Sequence, residues 1–519
     1  MANSTIQTKI GKDVIDSITL SMYEDPRIIY REYIQNSADQ IDIAVDEGIL
    51  KNTDEGVIEI KIDGNRSSIT IEDNATGIER NKVENVLKNI AQSSKKRDTN
   101  KGFRGIGRLG GIAYCEKLIF ETSFEGENVK SILTWDAVKL KTIINDRTKN
   151  EEATEVIDAV TNLETESEDI NAHYFKVILQ GVENPKLLSI EDVREYLSMV
   201  APVPYQRHFI FKDIIYKELE NEKLPLDMYN IFVNNDKVEK AYTTSIYEGA
   251  DHDKKKIDEI TELKFFPIYD KNDNLLAYGW YGISNFEKQI PSVNVARGIR
   301  LRKGNIQIGN NDTLIPFFKE QRGNNYFYGE IFALDKNLIP NARRDYFVEN
   351  KTLKSFERAL TQELRDPLHK LYYYASNVRS ASRRIEQLEN FKKEYDKKAN
   401  EIGFSTKEEK EKYENKFDAL KEKAKSAEND LVKLKAKIDD DSDPKGKIFN
   451  NIAVKNPKVD KVEIDTGSKQ KKTKFATDDL SRLNSKERKL ISKVFGVIDV
   501  VLTPDLAENL KQKIKTEFR

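Results

Sequence analysis

The chain has 519 residues, of which 38% are hydrophobic and 34% are charged, and its formal net charge is −2. This length favours about three or four domains, and the near-neutral charge gives no overall attraction to nucleic acid or to an anionic membrane. A single cysteine, Cys115, excludes an internal disulfide framework and indicates a reducing compartment. No apolar run is long enough to predict a membrane span or a signal peptide, so we expect a cytoplasmic protein.

The first long predicted helix runs from Asp25 to Glu47, with Asp25 as N-cap, Pro26 at the first helical position and Gly48 beyond its end. An apolar stripe with helical spacing consists of Ile34, Ala38, Ile41 and Val45. The opposite face carries a polar row of Glu32, Asn36 and Asp39. The stripe explains how the helix packs, but it does not explain the polar row, which is therefore the first candidate functional feature.

The elements predicted next along the chain are strands over 57–63 and 68–72, a helix over 79–90 and strands over 117–122 and 174–179. The segment Asp73-Asn74-Ala75-Thr76-Gly77 follows the second of these strands directly. A lysine-rich loop then leads into a glycine-rich segment from Gly102 to Gly111. Residues 141–172 are acidic and weakly patterned, so they predict an exposed excursion.

A glycine-rich loop before a helix is typical of phosphate binding, because backbone N–H groups can approach an anion there. A P-loop requires lysine and then serine or threonine after its last glycine, whereas Gly107 is followed by Arg108 and Leu109. The spacing of Gly105, Gly107 and Gly110 matches a dinucleotide fingerprint, but that fingerprint should follow a strand directly. A plain surface turn is the third alternative for this loop alone.

The three blocks taken together resemble a known family. Glu32-x-x-x-Asn36-Ser37-x-Asp39, then Asp73-x-x-x-Gly77, then Gly102-x-x-Gly105-x-Gly107 is similar to the Bergerat ATP-binding fold of the GHKL superfamily. That superfamily includes gyrase B subunits, Hsp-type chaperones, histidine kinases, MutL-type repair proteins and MORC ATPases. The resemblance covers about residues 10 to 180. One departure is Ala75, which stands where the family's second block usually has a glycine.

The resemblance implies a role for each matched residue, with ATP and Mg²⁺ as cofactors. Glu32 would act as the general base for a water, and Asn36 would offer an oxygen to Mg²⁺. Asp73 would accept a hydrogen bond from the adenine amino group, since an ionised carboxylate has only acceptors. The remaining implied nucleotide-binding residues are Asp39 near the ribose or α-phosphate, Gly77 and Thr122 at the base, and Gly102, Gly105, Gly107 and the lid residue Lys95 at the phosphates.

A second region, rich in strands, resembles the transducer or middle domain that follows the ATP fold in Hsp-type and MORC-like relatives. The resemblance rests on the segment from Val295 to Gly309, on Tyr328-Gly329-Glu330-Ile331 and on the segment from Leu338 to Asp345. The family uses a basic or amide side chain of this domain to reach the γ-phosphate. The candidates for that side chain are Arg300, Arg302, Lys303 and Gln307, with Arg300 and Lys303 predicted to be catalytic.

The C-terminal third is predicted to be helical. A +4/+3 apolar seam from Tyr413 to Ile438 and a preceding helix with Ile385 and Leu388 favour an antiparallel coiled-coil hairpin, and a parallel dimeric coil is the alternative. The capping box Ser405-x-x-Glu408 would start the second helix. A lysine-rich stretch follows and then a short helical module, broken near Thr503 and Pro504.

The predicted fold class is α+β, with a Bergerat-fold α/β sandwich, a second α/β transducer-like domain and a C-terminal coiled coil. The predicted domains are 1–180 for ATP binding, 181–375 for the transducer, 376–440 for the coiled-coil hairpin, 441–483 for a flexible basic linker and 484–519 for the helical module. The resemblance implies a slow ATPase that forms a homodimer on binding ATP and acts on a protein partner.

The partner class stays open at this level. One version is a MORC-like, DNA-associated ATPase in a prokaryotic defence system, indicated by the predicted coiled coil and the basic run from Lys469 to Lys474. The other is an Hsp-type, chaperone-like protein. A histidine kinase is disfavoured because no histidine precedes His173, and a topoisomerase because no further catalytic domain follows the transducer. A nucleotide-binding module without catalysis remains an alternative.

Overall fold

The computed structural model describes residues 9–19, 25–90, 106–224, 226–249, 251–440, 443–453, 463–464 and 474–518. The chain divides into two compact units, Met1–Ser284 with Lys288–His369, and Asn285–Glu287 with Lys370–Arg519. None of the helices in these described ranges is long and apolar enough to cross a membrane.

The helices of the described residues are α1 (Asp13–Thr19), α2 (Ile28–Asp46), α3 (Val83–Lys88), α4 (Ala137–Asn145), α5 (Ala153–Val160), α6 (Pro185–Leu188), α7 (Ile190–Val200), α8 (Lys212–Asn221), α9 (Lys351–Lys397), α10 (Lys407–Lys435), α11 (Pro444–Ala453), α12 (Ser485–Val501) and α13 (Pro504–Phe518). The strands are β1 (Val57–Asp63), β2 (Ser68–Asp73), β3 (Lys117–Ser123), β4 (Val129–Asp136), β5 (Thr161–Ser167), β6 (Tyr174–Gln180), β7 (Asn230–Val233), β8 (Asp236–Lys237), β9 (Ser245–Glu248), β10 (Lys255–Glu259), β11 (Glu262–Tyr269), β12 (Leu275–Ile283), β13 (Gly298–Lys303), β14 (Ile306–Ile308) and β15 (Tyr328–Ala333). The class is mixed α+β, as predicted.

The first unit contains an eight-stranded sheet in the order β5-β4-β3-β6-β2-β1-β7-β8. The apolar stripe of α2 packs into the core of this sheet, and Ile34, Ala38 and Ile41 are at most 1% exposed. The four strands predicted in this region agree with the structure within one residue. Strand β7 pairs in parallel with β1 although the sequence analysis assigned residues 230–233 to the second domain.

Two local expectations in this sheet region need correction. Helix α2 begins at Ile28 rather than at Asp25, because the Asp25 side chain accepts the N–H of Arg27 and its carbonyl accepts the N–H of Ile28. Asp25 and Pro26 therefore form the turn before the helix. The predicted excursion over 141–172 contains α5 and the edge strand β5, whose mostly exposed side chains explain the weak apolar pattern.

A second sheet, in the order β11-β12-β15-β13-β14, follows in the same unit. Strands β13 and β15 of this sheet contribute to a buried charge cluster. In this cluster Glu330 contacts Arg302 Nε at 2.5 Å and Lys240 Nζ at 2.9 Å. All three side chains are fully buried. Burial is the largest single influence on each pKa, and it lowers the pKa of Lys240 to about 7. At Glu330 burial raises the pKa, but the nearby charges of Arg302 and Lys240 outweigh it and keep the pKa below its usual value.

The second unit is helical, and the end of α9 packs antiparallel to α10. Tyr374 Oη donates to the Leu434 carbonyl at 3.1 Å, and the rings of Phe391 and Tyr413 stack with centroids 5.5 Å apart. The cap of α10 is Thr406 rather than Ser405. Helix α11 lies inside the segment predicted as a flexible linker, so residues 444–453 of that segment are folded. Supercoiling of the helix pair stays a prediction, and the basic run after Lys469 lies mostly outside the described residues.

Candidate nucleotide site

Helix α2 presents the predicted polar row at the edge of the first sheet. Glu32 is 6% exposed and Asp39 is 2% exposed, whereas Asn36 is half-buried and accessible from solvent. Tyr33, on another face of the helix, donates through its hydroxyl to the Arg108 carbonyl at 3.0 Å and accepts the N–H of Gly111 at 3.1 Å. These bonds join the helix to the glycine-rich segment.

The glycine-rich segment approaches the carboxylate of Glu32 very closely. Gly107 opens a 3-10 helix that extends to Tyr114. A Cβ atom at position 107 would lie 2.2 Å from Glu32 Oε2, so only glycine fits there without displacing the carboxylate. The predicted phosphate-binding residues Lys95, Gly102 and Gly105 lie outside the described residues.

The other end of the polar row meets Asp73. The Ser37 hydroxyl donates to Asp73 Oδ2 at 2.6 Å, and the N–H of Ala75 approaches Asp73 Oδ1 at 3.2 Å. Asp73 is 1% exposed, so these bonds hold its carboxylate in a defined orientation. Ala75 occupies the position of the missing glycine without disturbing that arrangement.

Gly77 makes the closest backbone approach of the second motif block. Its φ of +68° lies in the left-handed region, and a Cβ atom would lie 1.8 Å from the Ser123 carbonyl oxygen. Both facts exclude a side chain at this position. The Gly77 backbone therefore lies directly against the end of β3, at Ser123.

The sheet register places Thr122 and Asp73 on one line. Both residues are paired with Phe175 on β6, Asp73 from β2 and Thr122 from β3, so all three side chains point to the same face. The Thr122 hydroxyl accepts the N–H of Ile78 and donates to the Tyr174 carbonyl, each at 2.9 Å. Phe175 was not among the predicted site residues, since in the sequence it looks like one more apolar residue of an alternating strand.

A second residue absent from the predicted site is Arg344, which lies in the loop after β15. Its Nε lies 2.5 Å from Glu32 Oε1, and both side chains are at most 12% exposed. Arg31 reaches the same loop and donates to the carbonyl of Arg343 at 3.3 Å. The segment Asn341-Ala342-Arg343-Arg344-Asp345 carried part of the transducer resemblance, so a signal for Arg344 was present in the sequence.

The four predicted transducer candidates, Arg300, Arg302, Lys303 and Gln307, make different contacts. Arg300 and Gln307 line a cavity together with Arg344. Arg302 belongs to the buried cluster with Glu330. Lys303 donates to the carbonyls of Leu334 at 3.2 Å and Asp335 at 2.8 Å, and it does not line that cavity. Arg344, in the region predicted to be a transducer, thus contacts the predicted general base.

The donor set fits a magnesium nucleotide. Asp73 provides a buried acceptor, and Gly77 and Gly107 provide cradles that a Cβ atom would fill. Asn36 provides one accessible carboxamide oxygen, which is enough for an ion that keeps mostly water and phosphate ligands. Along α2, Glu32 and Ser37 are separated by a helix rise of about 7.5 Å, which sets the two ends of the site apart.

Comparison with known families agrees with this geometry. The family described as histidine kinase-, DNA gyrase B- and HSP90-like ATPase matches residues 29–168. That range contains α2, the Asp73–Gly77 block and the 3-10 helix from Gly107. Residues 29–168 belong to the GHKL ATPase superfamily. The family match does not extend beyond residues 29–168. For the rest of the chain, the interpretation rests on the structure alone.

Relatives of the GHKL domain include the chaperone protein HtpG. The chain is 30% identical over 164 residues to the chaperone protein HtpG of Buchnera aphidicola subsp. Baizongia pistaciae, covering 28% of this chain and 26% of the relative. It is 31% identical over 133 residues to HtpG of Sulfurovum sp., covering 23% and 21%. The chain thus matches about a quarter of the length of these relatives. Among solved structures, the ATPase region of Saccharomyces cerevisiae topoisomerase II is similar with a TM-score of 0.37 and 12% identity, covering 66% of this chain and 84% of that one.

Proposed function

We propose that the protein binds ATP with Mg²⁺ through its GHKL domain and hydrolyses it slowly. This proposal rests on two buried carboxylates that lie at helix α2. Asp73 accepts a hydrogen bond from Ser37 of the helix, and Glu32, on the helix itself, lies directly beside Gly107. The first has the orientation and acceptor chemistry for an adenine amino group, and the second has the position of a base near the phosphates. ATP would supply the γ-phosphoryl group.

Within this proposal the chain's own residues have separate tasks. Glu32 orients a water and accepts its proton, and Asn36 supplies the protein ligand to Mg²⁺. Thr122 positions the backbone of Ile78 at the base, while Asp39 supports the same face of α2. The lid residues Lys95, Gly102 and Gly105 are proposed phosphate contacts on the strength of the family resemblance alone.

Arg344 is the transducer residue that we assign to the phosphate end, in preference to Arg300 or Lys303. It already contacts Glu32, and a guanidinium can stabilise the negative charge that develops on phosphoryl transfer. Because Arg344 follows β15 of the second sheet, its contact would link hydrolysis to the position of that sheet. An ATP-dependent homodimer is a further part of the proposal, by analogy with the superfamily.

Substituting Asp73 tests nucleotide binding directly. Asp73→Asn is expected to weaken the affinity for ATP about 10- to 100-fold, because a carboxamide can present N–H groups where the adenine amino group needs an acceptor. The measurement is isothermal titration with Mg-ATP. Asp63→Asn, at the exposed end of β1, is the control and should bind like the parent. Equal affinities of the two variants would remove Asp73 from the site, and a parent protein that binds no ATP would overturn the proposed function.

Substituting Arg344 tests the assignment of the transducer residue. Arg344→Met is expected to lower kcat about 100-fold while KM for ATP changes less than threefold, since a cation that acts mainly on the transition state affects turnover more than binding. Steady-state phosphate release measures both constants. Arg194→Met removes an exposed arginine paired with Asp236 and should leave both constants unchanged. A loss confined to KM would instead assign Arg344 to ground-state binding.

A chaperone-like role is the partner function with a specific observation in its favour, because the relatives of the GHKL domain described above are HtpG chaperones. The DNA-associated alternative rests on the basic run near Lys469. ATP-dependent suppression of the aggregation of an unfolded client protein would support the chaperone role. DNA binding that weakens steeply with salt, measured by filter binding, would support the other.

A further inference from the structure

A cavity of about 480 Å³ lies between the start of α2, helix α7 and the strands and loops of the second sheet. Its size falls within the usual range of small-molecule sites. Its lining contains three carboxylates and six arginines: Arg27, Arg31, Arg297, Arg300, Arg343 and Arg344. The cavity therefore has a formal excess of three positive charges on its walls.

Two of these arginines have a carboxylate partner. Arg27 forms a two-point ion pair with Asp25, with Nη2 at 2.8 Å from Oδ2 and Nε at 3.1 Å from Oδ1. Arg344 is paired with Glu32, as described above. Asp25 is therefore already engaged, and Glu32, which does not line the cavity, offsets Arg344, so the formal excess around the cavity is two positive charges.

Arg31 and Arg300 are buried without such a partner. They are 3% and 7% exposed, and among the described residues no carboxylate lies within ion-pair distance of either one. Arg300 donates to the carbonyls of Val295 and Arg297 and weakly to the Gln307 side chain. Each of the two guanidinium groups keeps an Nε with no hydrogen-bond acceptor. Burial lowers the pKa of Arg300 to about 10, which reflects the cost of this charge in its surroundings.

A buried cation without a counter-ion is unfavourable, and carbonyl dipoles compensate it only in part. The planar guanidinium fork binds the oxygens of phosphate groups in pairs, which a lysine cannot do. Side-chain amides of Gln307, Asn310 and Asn311 also line the cavity and can donate to further oxygens. The wall thus has the charge, the donor geometry and the depth for a polyoxygen anion.

We propose that this cavity is a second ligand site, which binds a small phosphate-type oxyanion independently of the nucleotide. Arg31 and Arg300 hold the anion at the base of the site, and Arg343 closes on it from the exposed loop at the mouth. This proposal does not depend on whether the protein hydrolyses ATP. Where the proposed function also holds, the anion would compete with Glu32 for Arg344 and so change the rate of turnover.

The test is isothermal titration of the full chain with inorganic phosphate, with ribose 5-phosphate as a second arm for a phosphorylated small molecule. Each titration is run in constant ionic strength set with sodium chloride, first without nucleotide and then with saturating Mg-AMP-PNP. We expect saturable binding in at least one arm that persists when AMP-PNP is bound. Absence of binding in both arms, or complete loss when AMP-PNP occupies the nucleotide site, would overturn the proposal.

Three variants locate the site. Arg31→Met and Arg300→Met are expected to weaken the anion at least tenfold. Because both side chains are buried, Arg343→Met is added as an exposed variant whose backbone contact with Arg31 is unchanged, and it should weaken binding about three- to tenfold. Arg194→Met, with the same loss of charge on α7 outside the lining, should bind like the parent. The assignment would be refuted if Arg343→Met bound the anion with the affinity of the parent and if each buried variant that remains folded did so too.

A separate titration of the parent protein with Mg-AMP-PNP distinguishes the two proposals. If AMP-PNP does not bind while phosphate does, the proposed nucleotide function fails and the anion site stands. If AMP-PNP binds while neither phosphate nor ribose 5-phosphate does, the nucleotide function stands and the anion site fails.

Discussion

Replacing Glu32 by alanine is expected to lower ATP turnover at least about 100-fold, the usual contribution of a general base. The affinity for ATP should stay within about threefold of the parent, because removing a carboxylate near the phosphates relieves repulsion and leaves Asp73 and Gly77 in place. Phosphate release under saturating Mg-ATP measures the first quantity, and titration with AMP-PNP measures the second. The variant thus separates catalysis from binding.

The matched control is Asp46→Ala, which removes an exposed carboxylate from the last turn of the same helix. It changes the net charge equally and lies about four helical turns from Glu32 and about two from Asp39, so its turnover should equal that of the parent. Normal hydrolysis by Glu32→Ala would remove Glu32 from the mechanism. A simultaneous loss of AMP-PNP binding would mean that Glu32 acts mainly by holding the Gly107 segment and Arg344.

Replacing Glu330 by glutamine is expected to lower the free energy of unfolding of the first unit by at least about 3 kcal/mol. The substitution keeps the shape of the side chain but leaves Arg302 and Lys240, both fully buried, without a counter-ion. The hydrogen bond from the Tyr205 hydroxyl to Glu330 also loses a charged acceptor. Urea unfolding followed by tryptophan fluorescence reports the change, since Trp280 donates to Tyr205 in the same cluster.

Glu248→Gln is the control for this experiment. Glu248 forms an ion pair with Lys288 in which both side chains are about half exposed, and such pairs contribute less than about 1 kcal/mol. The same chemical change should therefore have little effect there. If Glu330→Gln were no more destabilising than this control, the two buried ion pairs of Glu330 would contribute no more to stability than an exposed pair, and the prediction would be wrong.

The sequence by itself determined the nucleotide-site elements and their family. The apolar stripe of α2 and the alternation of β1 and β2 are local patterns, and helix and strand periods follow from backbone geometry. The spacing of Glu32, Asn36 and Asp39 is likewise local, since residues three or four apart share a helix face. These features made the general base, the Mg²⁺ ligand and the adenine acceptor candidates before any fold was known.

Only the tertiary structure decided which distant residues meet. The bond from Ser37 to Asp73 and the shared register of Asp73, Phe175 and Thr122 depend on strand order, which no local pattern specifies. The choice of Arg344 over Arg300 or Lys303 depends on the path of a loop about 310 residues beyond Glu32. The candidates in the sequence were Arg300, Arg302, Lys303 and Gln307, and packing alone determines that Arg344 contacts Glu32 while Arg300 stays buried in the cavity without a carboxylate.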